Sequence, residues 1–112
     1  MNRHGYMYDT GQGVQQDYEQ AKTWYEKSAT QGEPDAQFSL GLMYDSDQGG
    51  KQDYGQAKAW YEKAAVQENP AAQFNLGVMH YFGRGVEQDY EQAKWWFGKA
   101  CDNGIKKGCD YI

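Results

Sequence analysis

The stretch DYEQAKTWYEK at residues 17–27 returns as DYGQAKAWYEK at 53–63 and as DYEQAKWWFGK at 89–99. The copies start 36 residues apart, and seven of their eleven positions are identical in all three. A fixed period of this size predicts a solenoid, in which each unit buries its apolar face against its neighbours alone. Each copy reads as a helix. Asp17, Asp53 and Asp89 stand as N-caps, with Gln20, Gln56 and Gln92 three residues on, the arrangement of a capping box. Ala21, Trp24, Tyr25, Ser28 and Ala29 then fall at i, i+3, i+4, i+7 and i+8, one stripe along one helix face.

The 112 residues carry a net charge of −5, a mean hydropathy of −1.03 and 16% aromatics. So hydrophilic a chain with so many Tyr and Trp suits a thin layer of paired helices better than a deep core. An acidic balance argues against a nucleic-acid partner, which needs clustered Lys and Arg. No apolar run approaches the ~20 residues of a membrane span, so membrane insertion is not expected. The opening residues are polar and show no signal peptide. Gly5, Gly41 and Gly77 share a column, as do Tyr8, Tyr44 and His80, so the chain is expected to start partway through a helix.

Between the copies lies a second helix per period, starting near Glu33-Pro34 and again near Asn69-Pro70, where proline suits the first helical position. Its mid-helix glycines, Gly41 and Gly77, each cost about 1 kcal/mol relative to alanine. Their recurrence predicts that the Trp- and Tyr-bearing helix crosses close above them. The pairs Gly11–Gly13 and Gly83–Gly85 are expected to stop the helix and reverse the chain. They are not phosphate loops, because no strand precedes them and no Lys-Ser/Thr follows. The middle copy departs from this pattern between Asp45 and Lys51 and is read as a solvated loop, without calcium-ligand spacing.

The series A-Q-F-x-L-G, Tyr, G-x-G-V and D-Y-x-Q-A-x-x-W-Y-x-K resembles the Sel-one-like repeat, a relative of the tetratricopeptide repeat. The resemblance covers nearly the whole chain, with a partial unit at 1–32, full units at 33–68 and 69–104, and a terminal short helix at 105–112. It implies an all-α, right-handed superhelix of antiparallel helix pairs, acting as a scaffold that binds proteins or peptides on its concave face. His80 in a Tyr column and Glu68 in the column of Gly32 and Gly104 depart from the pattern.

Cys101 falls in the column of Ala29 and Ala65, and Cys109 in that of Gln37 and Gln73. The segment around them resembles the cysteine-rich branch of the family, in which a Cys-x7-Cys pair staples adjacent helices. That resemblance implies a disulfide, with Cys109 opening a further helix and a periplasmic or secreted location, since such bonds persist in oxidising compartments. Two reduced thiols, or two ligands of a larger metal site, remain the alternatives.

Little points to catalysis. His4 and His80 are the only histidines, no serine begins an S-x-x-K motif, and H-E-x-x-H is absent. No cofactor or metal site is expected. Binding is expected on the leading helices, where an apolar series of Tyr6, Phe38, Leu42, Phe74, Val78, Tyr81 and Phe82 runs beside the core stripe, with Asp9 and Asp45 at the edge. The same side chains could instead pack between repeats, a choice evenly poised for Phe38 and Phe74. A binder or hydrolase of cell-wall fragments or β-lactams is the alternative function. Self-association through the end helices is a third reading.

Overall fold

A computed structural model describes the backbone of residues 12–46 and 52–111, with side chains from residue 19 onward. Among these residues are six helices: α1 (Gln12–Thr30), α2 (Pro34–Asp45), α3 (Tyr54–Ala65), α4 (Pro70–Phe82), α5 (Tyr90–Asp102) and α6 (Lys106–Cys109). Each packs mainly against its neighbours in sequence, the contact pattern of a helical array.

The ends of these helices follow the local chemistry. Pro34 and Pro70 open α2 and α4, and the Asn69 side chain accepts from the Ala72 amide. Asp53 caps α3 by accepting from the Gln56 amide, and Asp89 caps α5 by accepting from the amides of Glu91 and Gln92. Only half of the expected capping box forms. The backbone N–H groups of Asp53 and Asp89 donate to the carbonyls of Tyr44, at 2.7 Å, and His80, at 2.8 Å. The second helix of each unit is thus tied to the end of the first, and the glutamines are not needed to close the box.

The first copy differs. α1 runs from Gln12, so Asp17 lies inside a helix rather than at its start, and Gln12-Gly13-Val14 is helical where a turn was expected. In the last unit that turn is formed by Gly83 and Gly85, both with positive φ, and Gly85 seats directly on Tyr54. Asp47 to Lys51 of the middle loop lie outside the described residues.

The expected close approach at the mid-helix glycines is present. A Cβ at Gly41 would overlap the ring of Tyr61, and one at Gly77 would lie 2.7 Å from Phe97. Around these contacts sit two layers of core. Ala29, Ala36 and Leu40 form one, with Trp60 of α3 packed on it. Ala57, Tyr61, Ala64, Ala72, Leu76 and Met79 belong to the other, with Trp96 laid on it in the same way.

Polar joints connect unit to unit. Gln37 is buried and its Nε2 donates to the Ala29 carbonyl at 3.1 Å, while Gln67 donates to its Oε1 at 2.9 Å. One period later Gln73 donates to the Ala65 carbonyl at 3.1 Å, and Asn103 donates to its Oε1 at 2.9 Å. At the next joint Cys101 and Cys109 stand in these columns, and a disulfide joins them with Cα atoms 4.9 Å apart. Cys109 closes α6 rather than opening a further helix. Glu68 adopts the positive φ of its column partners Gly32 and Gly104, and Asn103 and Lys99 hold its carboxylate.

Two tests follow from this frame. Gly77→Ala should destabilise by roughly 1–3 kcal/mol through overpacking against Phe97, against the gain of about 1 kcal/mol that alanine brings to an exposed helix. Thermal denaturation checks it, and an unchanged or raised Tm refutes the contact. The second concerns His80, whose Nδ1 is buried without a hydrogen bond. Burial, and then the Lys58 ammonium, lower its pKa from 6.5, with Asp89 and Glu62 opposing them. The unfolded chain therefore takes up this proton more readily, so stability should fall as pH drops through about 6.5. His80→Tyr, which restores the ring that Tyr44 presents to Lys22 at 4.6 Å, should flatten that part of the Tm–pH curve.

Candidate functional site

The apolar series expected on the leading helices divides into two groups. On α2, Phe38 is half-buried against the core, its ring 5.8 Å from Tyr61, while Leu42 is 43% exposed. On α4, Val78 and Tyr81 are half-buried and Phe82 is 63% exposed. Phe74 lies in a ring cluster, 5.2 Å from Phe97 and 6.4 Å from Tyr111. Tyr6 and Asp9 lie outside the described residues.

Asp45 has a structural partner. Its Oδ2 accepts from the Tyr61 hydroxyl at 3.0 Å, and the Asn75 side chain hydrogen-bonds to that same hydroxyl. Burial, together with the neighbouring Asp45 carboxylate, pushes the Tyr61 hydroxyl well above the usual tyrosine range, although the Asn75 bond opposes them. The site is a polar joint between the second unit and the third, with Asp45 Oδ1 buried beside it and making no hydrogen bond.

The last unit replaces this joint with rings. Phe97 stacks on Tyr111 with centroids 4.6 Å apart, and Tyr81 lies 5.9 Å from Tyr111 and 5.1 Å from Tyr90. Between them opens a cleft of about 210 Å³ whose other walls include Glu91 and Lys94. Tyr90, Phe97 and Tyr111 were not among the expected site residues. Their signal was available in the columns, because Tyr81 follows Asp45, Phe97 follows Tyr25 and Tyr61, and Tyr111 follows Ser39 and Asn75. A wider cleft of about 550 Å³ between α1 and α2 is walled by Trp24, Tyr25, Glu33 and Asp35 among others.

The chemistry available at these surfaces is that of contact: rings, hydroxyls and scattered charges. Among the described residues no three His, Cys, Asp or Glu side chains gather to hold a metal ion. No helix there is long and apolar enough to cross a membrane.

Comparison with known proteins agrees with this geometry. The family model of the Sel1 repeat matches residues 1–33, 34–68 and 70–105. Among solved structures, a Sel1 repeat protein from Oxalobacter formigenes is 42% identical, with a TM-score of 0.78 over 96% of this chain and 44% of its own. A protective antigen of uropathogenic Escherichia coli displaying an SLR fold is 40% identical, with a TM-score of 0.81 over 94% of this chain and 22% of its own. Cysteine rich protein B of Helicobacter pylori is 26% identical, with a TM-score of 0.77 over 81% of this chain and 68% of its own. The chain thus spans less than half the length of the first two. No curated protein sequence matches it. Proteins built from Sel1 repeats generally act as scaffolds for protein interaction. With three consecutive matches that together cover nearly all of its residues, this chain belongs to the Sel1 repeat family.

Proposed function

We propose that the chain is a peptide-binding scaffold whose ligand lies along the leading helices α2 and α4. One observation carries the reading. Leu42 and Phe82 expose large apolar side chains on these two helices, and Val78 and Tyr81 stand half-buried on the second of them. Apolar groups that water would otherwise surround favour a partner that covers them. Phe38 and Phe74 support the surface from beneath, because both touch rings of the inner face.

The Cys101–Cys109 bond fits an oxidising compartment, and we place the chain in the bacterial periplasm or outside the cell. The likeness to a cysteine-rich bacterial protein supports that placement. Self-association through the end helices stays a competing use of the exposed rings.

Selection from a displayed random-peptide library tests the scaffold reading. Enriched peptides should bind the native chain and lose about tenfold or more in affinity on Leu42→Asp or Phe82→Ser. Both side chains are exposed, so the Tm should stay close to that of the native chain. Peptides that bind both variants as tightly as the native chain would place the ligand elsewhere.

A further inference from the structure

Three departures from the repeat meet on the exposed side of α5. Trp95 stands in the column of Thr23 and Ala59, Gly98 in that of Glu26 and Glu62, and Glu68 in that of Gly32 and Gly104. Thr23 and Ala59 are exposed, although a further unit follows each of them. The column therefore faces solvent inside the array as well as at its end, and a unit stacked beyond α5 would not cover it. The indole placed there is 57% exposed. Yet the ring is held. Trp96 meets it edge-on, with centroids 4.7 Å apart and planes at 82°. The Lys99 ammonium lies over it, 5.3 Å from a ring centroid. Glu68 in turn holds Lys99 at 3.6 Å and accepts from Asn103 at 3.0 Å, while keeping the positive φ of a glycine column. An anchor fixed before its partner arrives loses little freedom on binding, and tryptophan is enriched among the anchors of protein interfaces.

The charges around the ring decide what it takes. Side chains on a helix lean toward its N-terminus, so Lys99 reaches back onto one face of Trp95 and leaves the face toward Glu91, one turn earlier. Asp102 lies on the same side of α5, two turns on. With Glu68, three carboxylates thus flank the indole against the one ammonium of Lys99. Lys94 is set about 100° round the helix from Trp95, on the flank that lines the cleft by Tyr90. Beside the ring Gly98 leaves the helix bare, where in the preceding unit Glu62 pairs with Lys58 at 2.6 Å. A cation therefore fits better than an anion, and a flat one better than a compact one. A guanidinium stacks on an aromatic face and at the same time donates parallel hydrogen bonds to a carboxylate, which an ammonium cannot do in one plane. The same three carboxylates disfavour an anionic lipid surface.

We propose that the Trp95 face of α5 is a second docking site, which takes an arginine side chain from a basic segment of a partner protein. The guanidinium stacks on the indole face that Lys99 leaves free and donates to the Glu91 carboxylate. Glu68 offsets the charge of Lys99, so the cation already on the ring repels the incoming one less. The site lies on a second helix of its unit, and it does not depend on the peptide surface proposed for α2 and α4.

Fluorescence anisotropy on the full chain tests it, with labelled Gly-Ser peptides of about eight residues that carry a pair of Arg, of Lys or of Glu. The Arg peptide should bind at least about threefold more tightly than the Lys peptide, and the Glu peptide should not bind. Trp95→Ala and Glu91→Gln should each remove about fivefold of the Arg-peptide affinity, while Leu42→Asp leaves it unchanged. Trp95→Ala gives the third unit the residue that the second carries as Ala59, so the Tm should stay near that of the native chain, and a loss of affinity then reports the site rather than the fold. Equal binding of the Arg and Lys peptides, or undiminished binding to Trp95→Ala, overturns the proposal. Binding to phosphatidylglycerol vesicles that Trp95→Ala abolishes also overturns it, because an anionic lipid surface would then be the occupant. A concentration-dependent dimer lost on Trp95→Ala does the same, since a second copy would then cover the ring.

Discussion

Everything in this array depends on the absence of a side chain at two points. At Gly41 and Gly77 the first helix of a unit offers bare backbone, and the ring of Tyr61 or Phe97 from the second helix lies directly upon it. Glycine in mid-helix is unfavourable by about 1 kcal/mol, and burial of a large ring offsets it, at roughly 1.5–3 kcal/mol for a fully buried side chain. The contact sets more than distance. A ring clamped at its edge has its far end aimed at one place, and there Tyr61 presents a hydroxyl where Phe97 presents none.

A second constraint orders the units along the array. A buried amide side chain needs partners for both ends, since an unpaired one costs about 1–3 kcal/mol. Gln37 and Gln73 meet that need in the same way, giving Nε2 to a carbonyl at the end of the preceding helix and Oε1 to the amide of a residue at the following turn. The joint is directional, so it fixes the rotation of one unit against the next. At Cys101 and Cys109 a covalent bond takes the same columns. The last helix is far too short to hold itself by hydrogen bonds, and a bond across so short a loop contributes about 2–3 kcal/mol on the chain-entropy model.

What could be read without coordinates was what repeats. The prolines, the caps at Asp53 and Asp89, the glycine contacts and the stop at Gly83 each rest on local chemistry that one column states in full. What could not be read depends on a neighbour. Asp17 has the residue type of a cap but sits inside α1. The closing partner of the Asp53 amide proved to be the Tyr44 carbonyl, a backbone atom that carries no sequence signature. Asp45 looked like a charge at the edge of a groove because its column says nothing of Tyr61, sixteen residues away.

The aromatic site was hidden for a related reason, and energetics explain why its three columns changed as a set. Phenylalanine alone at the place of Tyr61 would strand the Asp45 carboxylate and the Asn75 amide without their shared hydroxyl, a costly change in a half-buried joint. Tyrosine alone at the place of Asp45 would leave the Tyr61 hydroxyl without its acceptor. Replacing acid, phenol and amide together removes the carboxylate–hydroxyl pair and its amide neighbour at once and substitutes ring contacts, such as the 4.6 Å stack of Phe97 on Tyr111. Each substitution taken singly reads as noise in its column. Only the fold, by bringing residues 81, 97 and 111 together, turns three irregularities into one surface.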